Sequence, residues 1–214
     1  MKSSKLLAIA LLTTFGAACS NIERSRSLDN PAIAGTTLAS QVCSNCHGLD
    51  GNSTSPNFPQ LAGQQKEYLI AQLTGFRNHK RLDPAGFEYM WGISRSLTDE
   101  QIGDLATYYA AKIRNAPGPS SNPSLIAEGK DIFVNGISEK SVPACASCHG
   151  EQGQGMAGNP RLANQHEDYL VKQLMVFQRT DERPEGSVMK VVAHSMTPLD
   201  MKAVAAYLQE MPSE

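Results

Sequence analysis

Apolar side chains recur along this chain at three- and four-residue intervals, and the pattern is written twice. Tyr68, Leu69, Leu73 and Phe76, with Gln72 among them, predict an amphipathic helix over residues 65–76. Tyr169, Leu170, Gln173, Leu174 and Phe177 repeat it over residues 166–177. Residues 34–42 and 125–134 read as an earlier helix of each copy. Thr98, followed three positions later by Gln101, forms a capping-box pattern that starts a last helix running to Ile113. Thr197-Pro198 opens its counterpart, with proline at the first helical position. No segment carries a convincing strand pattern, so the expected class is all-α.

The duplication extends beyond periodicity. Pro59-Gln60-Leu61-Ala62-Gly63-Gln64 returns as Pro160-Arg161-Leu162-Ala163-Asn164-Gln165, and Leu105-Ala106-Thr107-Tyr108-Tyr109 faces Val204-Ala205-Ala206-Tyr207-Leu208. The offset drifts from 102 to 101 to 99, as small loop deletions would produce. Two copies are too few for a solenoid, so two small globules are expected. Residues 115–123 (NAPGPSSNP) contain three prolines and a glycine and read as a linker. Domain 1 is then residues 33–114 and domain 2 residues 124–214. An insertion, residues 135–143, belongs to the second copy alone.

The first 18 residues have the form of an export signal: Lys2 and Lys5, an apolar run from Leu6 to Phe15, then Gly16-Ala17-Ala18. The run is shorter than the roughly 20 residues that span a bilayer. Cys19 follows the small-residue cleavage region directly. It is a candidate for a lipid anchor, with residues 19–32 as a polar tether; Gly16 stands where such sites usually have leucine. A periplasmic location is expected, with membrane attachment through Cys19 if that residue is acylated. The 19 basic and 21 acidic residues form no basic block, which argues against nucleic acid as a partner.

Five cysteines make an odd set, and four of them fall in two identical arrangements. Cys43-Ser44-Asn45-Cys46-His47 and Cys145-Ala146-Ser147-Cys148-His149 are both C-x-x-C-H, the pentapeptide that attaches a c-type haem. The two thiols are spaced to add across the two vinyl groups of one porphyrin, and the histidine then meets the iron. Two covalently attached haem c groups are expected. A zinc knuckle would need four ligands in a cluster, and each motif offers three. A redox dithiol belongs in a βαβ context, which is absent here.

A second axial ligand can be sought through the repeat. Met90 is the only methionine between Cys43 and Pro123, and the late offset of 99 maps it onto Met189. Each stands eight residues before a capping threonine. Met196 is the alternative to Met189; Met156, Met175, Met201 and Met211 can equally be core filler. His79, His166 and His194 do not correspond between copies, although bis-histidine ligation exists for haem iron. The carbonyls of Pro59 and Pro160 are candidates to accept the second ring N–H of His47 and His149, the alternative being a plain rigid turn. Arg161, Gln64, Gln165, Tyr68 and Tyr169 are candidates for the propionates or for ordinary surface and core roles.

With these residues placed, the chain resembles the dihaem cytochrome c4 family, within the class I cytochromes c, over nearly all of its length beyond Ile33. The resemblance rests on both C-x-x-C-H motifs and on the P-x-L-A-x-Q and Y-L-x-x-Q-L segments. It implies two tandem class I cytochrome c domains related by pseudo-twofold symmetry, with iron bound by His47 and Met90 and by His149 and Met189. It also implies electron transfer between periplasmic respiratory partners, membrane oxidase or reductase complexes, commonly toward a terminal oxidase. Two other readings share the motifs. One is an electron-accepting subunit of a dehydrogenase. The other is a dihaem enzyme of the peroxidase or thiosulfate dehydrogenase type, which would need an open iron site.

Overall fold

The computed structural model describes residues 26–115 and 118–211. The expected leader and Cys19 lie outside the described residues. In the first copy α1 (Gly35–Leu38) runs through a wide π-type turn (Ala39–Cys43) straight into α2 (Ser44–His47), so the motif ends one continuous helical stretch. Next come α3 (Lys66–Arg77), α4 (Trp91–Ser94), itself preceded by a π-type turn (Gly86–Met90), and α5 (Asp99–Ala110). The second copy supplies α6 (Ile126–Asn135), α7 (Ala146–His149), α8 (Glu167–Arg179), α9 (Ser187–His194) and α10 (Pro198–Glu210). Extended pairing among the described residues is limited to two isolated bridges.

Both last helices begin as their sequences require. Thr98 caps α5 in a reciprocal box with Gln101. Thr197 caps α10, where Pro198 takes the first position and Asp200 completes the box. Each such cap stabilises its helix by about 1 kcal/mol.

Packing repeats as the sequence does. In the first copy α5 packs on α1 and α3, and α3 on α4; in the second, α10 packs on α6 and α8, and α8 on α9. Two separate apolar cores result. Leu38, Leu69, Leu97, Ile102, Leu105 and Tyr109 belong to one; Phe133, Leu170, Met196, Met201, Val204 and Leu208 belong to the other. The first and last helices of each copy cross at glycine. A Cβ on Gly35 would lie 2.5 Å from Asp104 Cβ, and one on Gly129 would lie 1.9 Å from the Ala203 carbonyl oxygen.

Three features depart from simple doubling. The insertion turns back on itself by pairing Ile137 with Val142, and its Lys140 bonds Asp200 at the start of α10. Residues 120–122 of the linker are strapped to domain 2 rather than loose. Glu167, on the first turn of α8, accepts bonds from Ser120 Oγ (2.5 Å), Ser121 N (2.9 Å), Ser121 Oγ and Asn122 Nδ2 (3.3 Å). Ser120 N also donates to Glu210 (2.8 Å).

The domains meet through matched partners. Gln64 Nε2 donates to the Arg161 carbonyl (3.0 Å) while its Oε1 accepts from Arg161 N (2.8 Å). Gln165 does the same to Gln60, at 3.0 and 2.8 Å. Since Gln64 corresponds to Gln165, and Gln60 to Arg161, each contact is the image of the other, as an isologous pairing demands. His166 Nε2 meets the Ser53 carbonyl at 2.9 Å.

Candidate haem sites

The helical turn that carries each motif places its two cysteines three residues apart, on one face. Cys43, Cys46, Cys145 and Cys148 are not used in disulfides. Burial pushes the Cys43 thiol up to about 11, with Tyr109 as a hydrogen-bonding neighbour, and pushes Cys145 up to about 11. Before haem is attached both are held as S–H at neutral pH, the form whose sulfur and hydrogen add together across an alkene.

The histidines are more tightly fixed. His47 and His149 are buried, and the Nδ1 of each lies 2.9 Å from a proline carbonyl, Pro59 and Pro160 respectively. A carbonyl can only accept, so Nδ1 carries the proton and Nε2 keeps its lone pair. Burial pushes both imidazoles below their ordinary range and outweighs the opposing prolyl bond, so both are neutral. A neutral imidazole, oriented through its other nitrogen, is what an axial ligand requires. Gly48 and Gly150 end the motif helices with φ of 78° and 83°. A Cβ on Gly48 would meet the Asn52 carbonyl oxygen at 2.4 Å, so the chain turns away from the ring there only because the residue is glycine.

The donor set in each copy is one tautomer-fixed imidazole beside two thiols on a helix face, and it fits haem c. Among the described residues no three His, Cys, Asp or Glu side chains gather as a metal cluster, which a zinc knuckle would need.

Met90 ends the π-type turn before α4, and Met189 lies within α9; both are half-buried. The elements that carry them correspond, since α4 packs on α3 as α9 packs on α8. Met196 is built into the domain 2 core, as its counterpart Leu97 is in domain 1. Met201 and Met211 are core residues as well. His79 is exposed and stacks on Phe87 and Trp91, and His166 is engaged across the domain interface.

Of the candidates for the propionates, Gln64 and Gln165 bind the opposite domain's backbone. Sequence reasoning missed the residues beside Tyr68 and Tyr169. Arg81 grips Asp83 with two bonds (2.9 and 2.8 Å) and donates to Gln72 (2.8 Å). Arg183 bonds Glu185 (2.9 Å) and Gln173 (2.5 Å), and reaches across to Gln72 (3.0 Å). Burial pushes the Tyr169 phenol up to about 12, and Tyr68 pushes in the same direction. The signal was present in the repeat: Arg81 and Asp83 recur at an offset of 102 as Arg183 and Glu185.

Two helical globules, each presenting a C-x-x-C-H turn with its histidine locked to a prolyl carbonyl, define a two-domain c-type cytochrome. The cytochrome c family model matches twice, over residues 32–110 and 126–212. Cytochrome c4 of Pseudomonas aeruginosa is 36% identical over 182 residues, which cover 83% of this chain and 87% of that protein. The crystal structure of reduced recombinant cytochrome c4 from Pseudomonas stutzeri superposes with a TM-score of 0.72 at 33% identity, covering 83% of this chain and 97% of that one. A thiosulfate dehydrogenase electron acceptor of Thiomonas intermedia is 32% identical over 174 residues, covering 79% of this chain and 78% of that protein. The chain belongs to the dihaem cytochrome c4 family, and it carries two covalently attached haem c groups on Cys43 and Cys46 and on Cys145 and Cys148.

Proposed function

We propose that this electron-transfer cytochrome works in the periplasm, passing electrons between respiratory partners and onward to a terminal oxidase, with His47–Met90 and His149–Met189 as the axial pairs. Each haem supplies a one-electron couple; the chain supplies the ligands, their orientation and the surrounding charge. The observation that carries the reading is the duplicated lock of His47 on Pro59 and His149 on Pro160. It fixes a neutral imidazole on one side of each site. Met90, at the end of the π-type turn that leads into α4, and Met189, within α9, are the thioethers available for the other. Methionine opposite histidine raises the reduction potential and suits a carrier. The export-type leader and Cys19 support the location. Replacing Met90 by alanine lowers one midpoint potential and leaves the other nearly unchanged in a spectroelectrochemical titration; equal movement of both would contradict independent sites.

The relationship to a thiosulfate dehydrogenase electron acceptor supports a second reading, in which the donor is a periplasmic dehydrogenase. Rapid reduction by such an enzyme, set against reduction by a membrane quinol-oxidising complex, separates the two.

A further inference from the structure

Arg114 is 5% exposed and lies between the domains. Its Nε donates to the Ala62 carbonyl (3.1 Å) and its Nη1 to the Ala163 carbonyl. Those alanines are the same position of the repeat, so one guanidinium joins two equivalent loops. Each alanine follows by three residues the proline that holds an axial histidine, Pro59 for His47 and Pro160 for His149. Nη2 has no hydrogen-bond partner. Among the described residues no carboxylate pairs with Arg114. Burial, helped by the like charge of Arg161, pushes its pKa down to about 9, so it stays a cation at neutral pH. A buried cation that no protein carboxylate offsets is costly, and the fold keeps one at the centre of its interface.

We propose that Arg114 is a shared tuning residue, a fixed positive charge that raises the reduction potentials of both haem sites together. The inference rests on the two-haem carrier reading above. Loss of an electron at either site adds one positive charge to the interior, and a buried cation opposes it. Because the guanidinium is bonded to the equivalent carbonyl of each loop, its charge acts on both sites. This differs from the axial methionines, each of which acts on one iron.

The test uses the full, matured protein. Arg114→Gln keeps hydrogen-bonding capacity and removes the charge. Arg114→Lys keeps the charge and loses the fork. Redox titration of Arg114→Gln is expected to show both midpoints lower. The ferric-to-ferrous ratio at fixed ambient potential rises on the order of tenfold at each site, ~59 mV for a one-electron couple. Arg114→Lys is expected to retain both wild-type values, even where calorimetry shows weakened docking in Arg114→Gln. Unmoved midpoints, movement of one site alone, or an equal fall in Arg114→Lys would overturn the proposal. Intact mass on the same samples keeps the readings apart: two haems with stationary potentials reject only the role of Arg114, whereas missing haems reject the carrier reading itself.

Discussion

Replacing Gln64 by alanine should uncouple the two domains. The amide makes two bonds to a single residue of the other domain, to the N–H and the carbonyl of Arg161, and it is 4% exposed. A net ~0.5–1.5 kcal/mol per bond gives roughly 1–3 kcal/mol for the pair. The upper end applies if the Arg161 backbone stays buried and unpaired after truncation. For a protein of this size 1 kcal/mol moves the midpoint by about 2–4 °C, so a fall of roughly 2–12 °C is expected. Gln165→Ala should match it, because Gln165 makes the same two bonds to Gln60. The double variant should lose less than the sum, since a domain pair already released by one truncation has little docking left to lose. Calorimetry of the four proteins reads this directly: wild type as one transition, the variants as two. A Gln64→Ala melt that coincides with wild type in midpoint and shape would refute the reasoning.

Gly129→Ala forces a methyl group to within 1.9 Å of the Ala203 carbonyl oxygen where α6 crosses α10. Overpacking of this kind costs about 1–3 kcal/mol. Thermal melts should show domain 2 failing first, whereas Gly35→Ala should affect domain 1. The linker strap should be pH-sensitive. Burial alone would raise the Glu167 carboxyl, but the bonds from Ser120, Ser121 and Asn122 hold it below its ordinary value of 4.5. Its contribution is therefore full above that value and is lost as the pH falls through the lower folded value. Proteolysis within residues 115–123 should accelerate over that acid range, and Glu167→Gln should accelerate it at neutral pH too.

Much of this architecture was legible because it is local. The α3 and α8 periodicity, the Thr98 box and the Pro198 start depend on residues a few positions apart; α3 and α8 lie within about two residues of their expected ends, and α5 starts where expected but stops at Ala110, three residues before Ile113. The prolyl acceptors were legible through the repeat, since Pro59 and Pro160 keep nearly the same distance from their histidines. What stayed hidden is long-range. Residues 115–123 have the composition of a flexible linker, but Glu167, on a helix more than forty positions away, binds Ser120, Ser121 and Asn122 among them. Gln64 and Gln165 read as propionate candidates or ordinary polar residues, and only the fold sets each against the other's loop. The helices around Met90 and Met189 were missed because short helices held by tertiary packing leave little periodic signal. The Lys140 contact with Asp200 joins an insertion to a helix cap sixty positions on.

The most direct test is the intact mass of the mature chain, read together with its haem absorbance. Thioether formation adds a thiol across a vinyl group with no atom lost, so the account predicts the polypeptide plus two whole haems that survive acid denaturation. A chain that carries one haem, or releases both on denaturation, would contradict it.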